Sequence, residues 1–173
     1  MKKSFKDWWN RSLFWLRDQA FRSKKEFLRQ VFIFKGLSNR ALALIAQKVH
    51  ERGYADGEII FHEGDIGRAF FIVVEGRVEL YRQPSPSGTP DIIGVLGPGD
   101  FFGEMVLLDE LPRSASARAI EPSKLFLLYK SNFDAILREH PDVGVNILHS
   151  LARLLSARLR RQTTQLYSES PSR

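Results

Sequence analysis

Residues 69–81, AFFIVVEGRVELY, hold two β-rich runs, Ala69 to Val74 and Val78 to Tyr81, on either side of the turn pair Glu75-Gly76. Apolar and β-branched runs bounded by turn residues predict strands. The pattern recurs outward in both directions. Ile59-Ile60-Phe61, Asp91 to Leu96 and Lys124 to Leu128 are further short runs, punctuated by Asp56-Gly57, Glu63-Gly64-Asp65 and Pro98-Gly99-Asp100. Many short strands with regularly spaced glycine turns predict a mainly β domain with flanking helices, an antiparallel jelly-roll (double-stranded β-helix) barrel over about residues 53–128. Pro84 to Pro90, PSPSGTP, predicts a mobile hairpin loop with no assigned function.

Before and after the barrel the apolar period becomes helical. Residues 5–21, FKDWWNRSLFWLRDQAF, place Phe5, Trp8, Trp9, Leu13, Trp15, Leu16 and Ala20 on one side of a helix. That stripe either rests on an anionic membrane or packs on protein; Asp7 and Asp18 dilute the basic face and favour protein. A second helix is predicted from about Ser23 to Phe34, ending near Lys35-Gly36, and a third from Ala41 to about His50, capped by Ser38 or Asn39. Beyond the barrel, Ser131 is the predicted cap of a helix from Asn132 to about His140 that stops at Pro141. Asp142 is the predicted cap of a longer one to about Gln165.

On that last helix Leu148, Ala152, Leu155, Leu159, Gln162 and Leu166 form a heptad seam, with Ile147, Leu151 and Leu154 as a neighbouring stripe. Two stripes suit a helix that touches its own barrel on one side and a second copy on the other, so the segment 142–166 is a candidate homodimer contact; a monomer whose barrel covers both stripes is the alternative. The organisation read from these segments is a helical extension at 1–30, a domain at 31–166 with C-terminal hinge and lid or dimer helices from about 131, and a polar, disordered tail at 167–173.

Composition narrows the function. The chain has 173 residues, 43% hydrophobic, enough for one sizeable core with helices. It has no cysteine, which removes disulfides, thiolate metal sites and thiol nucleophiles and suits a reducing compartment. No apolar stretch reaches the roughly 20 residues of a membrane span. A cytoplasmic location is expected, with any membrane contact peripheral and through 5–21. The net charge of +6 is split: residues 1–40 hold 11 basic and 3 acidic side chains, residues 41–137 hold 9 and 14, and residues 138–173 hold 6 and 3. An acidic middle is the wrong field for a nucleic-acid groove, so no nucleic-acid partner is expected. His50, His62, His140 and His149 are scattered, without metal-ligand spacing or the makings of a Ser-His-Asp triad. Neither catalysis, nor a metal, nor a cofactor is expected.

The chemistry concentrates in residues 102–117, FGEMVLLDELPRSASA. A barrel core has no need of Gly-Glu followed nine residues later by Arg. A short helix between two strands, beginning around Gly103 to Val106, would offer unpaired backbone N–H groups to a phosphate. Gly103 lets a ligand approach closely. Glu104 accepts hydrogen bonds from a sugar hydroxyl, and Arg113 presents a fork matched to phosphate oxygens. From Gly99 through Pro112 there are four carboxylates and no base, so Arg113 is the local cation. One cation suits one negative charge, which favours a cyclic nucleotide monophosphate over a triphosphate.

This stretch resembles the phosphate-binding cassette of the cyclic-nucleotide-binding domain family, written F-G-E-[LI]-[AG]-L-[LI] followed by P-R-[AST]-A-[TS]. Phe34 to Ser38, Gly57 to Phe61, Glu63-Gly64-Asp65 and Phe71 to Val78 are similar to the family's lead-in loop, early strands and following hairpin, and the resemblance spans about residues 31–161. It implies a ligand, cAMP or cGMP, with Glu104 on the ribose 2′-hydroxyl and Arg113 on the exocyclic phosphate oxygens. Gly103 would contribute backbone, Ser114 backbone and hydroxyl, and Ala115 close packing, with Phe102, Met105 and Val106 completing the site. Val106 departs from the pattern, which has Ala or Gly there. Ser114 is compatible with either base. In the family the C-terminal helix often closes over the base, a role for Arg158 or Arg153 if they are not simply a solvated face. Bacterial regulators of the family carry a DNA-binding module, but about 12 residues after Arg161 are too few for a helix-turn-helix. The resemblance thus implies a stand-alone sensor that binds cAMP or cGMP, re-packs its C-terminal helices and is read by an unknown downstream protein. The competing reading is a ligand-free scaffold, attached through the N-terminal helix, in which Glu104 and Arg113 pair with each other.

Overall fold

The computed structural model describes residues 19–83 and 88–168. The amphipathic stripe expected at 5–21 and its membrane or partner contact fall almost wholly outside them, as do 84–87 of the hairpin loop and 169–173 of the tail.

Eight strands form two four-stranded antiparallel sheets: β1 (His50–Tyr54), β8 (Ser123–Tyr129), β3 (Ala69–Glu75) and β6 (Phe101–Phe102) in one, and β2 (Ile59–Phe61), β7 (Ser116–Ala119), β4 (Val78–Arg82) and β5 (Asp91–Leu96) in the other. The jelly-roll architecture is present as two facing sheets whose ladders do not close into a barrel. Alternation along β3 explains why AFFIVV is continuously apolar. Phe71 and Val73 point between the sheets and join Phe102, Val78 and Leu125, whereas Phe70 and Ile72 point outward to a second core beneath the helices. Both faces of the strand are covered, so neither needs polar residues. Strand β8 repeats the arrangement, with Leu125 and Leu127 inside and Phe126 and Leu128 under the helices.

Strands β1, β6 and β7 are not legible in local sequence. HERGY is largely exposed and reads as the end of a helix, yet it pairs residue for residue with Leu127 to Ser123 of β8. β6 has two residues, and β7, SARA, takes its strand geometry from ladders on both sides, with β2 and β4. Long-range pairing overrides local preference at each of these places.

The helices shift by a few residues from their expected limits. Helix α1 occupies 19–30, and the chain then turns through extended Val31 into a 3-10 turn at Phe32–Phe34. Burying Val31, Ile33 and Phe34 together needs that break, because successive α-helical residues point 100° apart. Helix α2 (Asn39–Lys48) is capped by Ser38, whose Oγ accepts from the Ala41 N–H at 3.2 Å. Helix α3 (Lys130–Glu139) starts before Ser131, which therefore is not its cap; Asn132 instead donates to the Lys48 carbonyl (2.9 Å), closing the end of α2. Pro141 opens α4 (Pro141–Ser168), where its missing N–H would have no partner in any case, so Asp142 lies inside the first turn, not at the cap.

Helix α4 runs to Ser168, beyond the expected Gln165. Its stripe of Ile147 and Leu151, both fully buried, with partly buried Leu154, packs on the chain's own core. On the neighbouring stripe Leu148 and Leu155 are partly covered, while Ala152 and Leu159 face outward, Leu159 with 64% of its surface exposed. The side chains of Gln162 and Leu166 lie outside those described. Among the described residues no helix is long and apolar enough to cross a membrane.

Candidate functional site

Between β6 and β7 the cassette leaves the sheets. Strand β6 ends at Phe102, Gly103 takes a left-handed conformation (φ 67°, ψ 22°), and a 3-10 turn follows at Glu104–Leu107. This is the short helix expected between strands. The first N–H groups of such a turn cannot be bonded within it. The cassette's far end is fixed to the loop at 64–66: the Arg113 N–H donates to Asp65 O (2.8 Å), the Gly64 N–H to Arg113 O (2.9 Å), and Ile66 bridges Pro112.

The Arg113 side chain is thereby directed inward. Its Nη2 donates to Ala69 O at 2.6 Å and Nη1 to Gly103 O at 3.2 Å. Its guanidinium carbon lies 4.2 Å from the Phe61 ring centroid and 5.6 Å from that of Phe71, a favourable cation–π arrangement. Two glycines make room for it. A Cβ on Gly67 would stand 3.1 Å from the Arg113 Cζ, and one on Gly103 2.5 Å from its Nη1. Burial pulls the Arg113 pKa below its ordinary value, with Asp65 and Glu104 acting in the opposite direction; an arginine stays charged even so.

Glu104 is 5% exposed, an unusual place for a carboxylate. Its partner is Arg158 of α4, whose Nη1 bonds the Glu104 Oε1; Glu104 and Arg113 form no ion pair with each other. The mutual clasp that would fill the site is absent.

Glu104, Arg113 and Arg158 line one cavity of about 540 Å³, together with Gly103, Met105, Val106, Ser114 and Ala115. Phe102 lines it from below, stacked on Phe71 with centroids 5.1 Å apart. Val106 is 5% exposed and belongs to the core under the helices as well as to the cavity wall. Met105 and Ser114 are exposed at the mouth. Arg153 is exposed on α4 and does not line the cavity.

The expected charge of the site is corrected here. Arg113 is not the lone cation, because α4 brings Arg158 and β4 brings Arg82 to the same cavity. Three arginines face two carboxylates, Glu104 and Asp109, which leaves a single positive charge among the lining side chains. Arg82, Phe61 and Gly67 lie outside the cassette and reach the cavity only through the fold, whereas Asp109 lies within it and is one of the four carboxylates between Gly99 and Pro112.

The cyclic nucleotide-binding domain model matches residues 51–140, which contain the cassette and seven of the eight strands in full. The chain is 40% identical over 134 residues to the cyclic AMP receptor protein of Thermus thermophilus, covering 78% of this chain and 60% of that protein. It is 32% identical over 126 residues to a cAMP-dependent protein kinase regulatory subunit of Dictyostelium discoideum, covering 70% of this chain and 38% of that one. Among solved structures it resembles the N-terminal domain of a transcriptional regulator from Streptomyces coelicolor, with a TM-score of 0.70, 32% identity and coverage of 85% and 99%. The chain thus spans about three fifths or less of the length of the curated relatives named. Because relatives include a transcriptional regulator, the expectation that nucleic acid is no partner is set aside. These relatives are named as receptor and regulatory proteins. By the extent of the family match, the chain belongs to the cyclic nucleotide-binding domain family.

Proposed function

We propose that the cavity binds a cyclic nucleotide monophosphate, cAMP or cGMP, and that the chain acts as a regulatory sensor without catalysing a reaction. The observation that carries this reading is the arrangement of Arg113 and Glu104: both are held in one cavity, by different partners, and not by each other. Arg113 uses donors on two carbonyls for orientation and keeps the rest of its five for phosphate oxygens. Glu104 gives one oxygen to Arg158 and offers the other to a ribose hydroxyl. The names of the relatives, a cyclic AMP receptor and a cAMP-dependent kinase subunit, support the ligand class.

Arg158 also ties the site to α4. Ligand and helix position are then linked, and nucleotide shifts the helix only by its differential affinity for the two arrangements. The outward stripe of Ala152 and Leu159 beside partly covered Leu155 supports a homodimer through 142–166 as the element that moves against a partner. Replacing Arg158 by alanine leaves a buried carboxylate without its cation. Because Arg158 is itself half-exposed, the expected loss is about 1 kcal/mol, roughly fivefold in affinity, measured by calorimetric titration of the variant.

Titration of the wild-type chain with cAMP and with cGMP tests the function. Nucleotide at about ten times its Kd should stabilise the fold by about 1.4 kcal/mol, a rise of roughly 3–6 °C in Tm. No heat and no thermal shift with either would leave the ligand-free interaction domain as the account of this chain.

A further inference from the structure

Arg82 closes β4, and the antiparallel pairing of β4 with β7, Tyr81 opposite Ser116, brings it beside the end of the cassette. Its Nε donates to the Ser114 carbonyl at 2.9 Å and stands 3.9 Å from Glu63 Oε1. Among the described residues its two terminal nitrogens make no hydrogen bond. Arg82 lines the same cavity as Arg113, Ser114 and Glu104. The Nε edge is therefore spent on holding the guanidinium in place, and the opposite edge, a fork of two donors, is left over.

We propose that this fork reads the base of the bound nucleotide and selects a 6-oxopurine, guanine in preference to adenine. The inference rests on the cyclic nucleotide reading of the cavity. With the phosphate at Arg113 and the sugar at Glu104, the remaining polar wall consists of Arg82, the Ser114 hydroxyl, Arg158 and Asp109, whose Oδ1 accepts from the Leu111 N–H at 3.2 Å. Arg158 is engaged with Glu104. Guanine presents O6 and N7 side by side as two acceptors, which a guanidinium meets with two hydrogen bonds. Adenine presents N7 beside the N6 amino group, so one arm of the fork would face a donor.

Arg82 is exposed, with 56% of its side chain open to solvent, so the discrimination belongs at the low end for a bidentate pair, roughly tenfold. The experiment is calorimetric titration of the full chain and of Arg82→Gln and Arg82→Lys with cGMP, cIMP and cAMP. Inosine keeps O6 and N7 but lacks the 2-amino group, which isolates the edge that Arg82 would meet. The wild type is expected to bind cGMP and cIMP about tenfold more tightly than cAMP. Arg82→Gln, whose amide suits adenine, should abolish or invert that ratio, and Arg82→Lys should reduce it while keeping the charge. Equal or tighter binding of cAMP by the wild type, or a cGMP-to-cAMP ratio unchanged in Arg82→Gln, overturns the proposal and leaves the nucleotide reading standing. Binding of none of the three overturns both.

Discussion

Arg113→Ala is expected to weaken cyclic nucleotide binding by about 2–5 kcal/mol, some thirtyfold to a few thousandfold, the usual loss when one member of a buried charge pair is removed. The loss is large because no other side chain among the described residues replaces that guanidinium. Arg158 is engaged with Glu104, and Arg82 is held at the mouth by the Ser114 carbonyl. The substitution also frees the carbonyls of Ala69 and Gly103 and uncovers the Phe61 ring, so circular dichroism and thermal melting must accompany the titration. Arg113→Lys separates charge from geometry: a point charge survives, but the fork across two carbonyls does not, and affinity should fall between wild type and the alanine variant. An affinity unchanged in Arg113→Ala would remove this residue from the site.

Gly103→Ala should be nearly as damaging although it adds one methyl group. The residue sits at φ 67°, where an L side chain is strained by about 1–3 kcal/mol. The new Cβ would also lie 2.5 Å from Arg113 Nη1, so the guanidinium must leave its bond to the Gly103 carbonyl. A hydrogen bond to a charged group contributes about 1.5–3 kcal/mol. The expected result is a fold destabilised by about 1–3 kcal/mol in chemical denaturation and a nucleotide affinity at least thirtyfold weaker. A folded variant with wild-type affinity would show that Arg113 reaches the ligand from some other position.

The sequence carries those features whose cause is local. Glycine turns at Gly57, Gly64, Gly76 and Gly99, all with positive φ, mark strand ends. The continuous apolar run of β3 marks a strand covered on both faces. The cassette is legible because Gly-Glu and Pro-Arg-Ser occupy one stretch of chain. Features created by pairing are not. His50–Tyr54 becomes a strand only against β8, and Ser116–Ala119 only between two neighbours. Arg82 stands 32 residues from Ser114 in sequence and 2.9 Å away in space, through the β4–β7 register. Arg158 meets Glu104 across 54 residues. From sequence it was one of two candidate arginines on a helix, and only the docking of Ile147 and Leu151 on the core turns that face, not the face of Arg153, toward the cavity. A count of charges along the cassette therefore found one cation where the folded cavity gathers three.

The central claim is that one cavity holds a cyclic phosphodiester on Arg113 and its ribose on Glu104. A crystal structure of the full chain grown with saturating cGMP, and a second with cAMP, tests it most directly. The account predicts exocyclic phosphate oxygens within about 3 Å of the Arg113 guanidinium and the 2′-hydroxyl on the Glu104 oxygen that Arg158 leaves free. Nucleotide bound elsewhere, or an empty cavity with Arg113 still on the Ala69 and Gly103 carbonyls at saturating ligand, would contradict it.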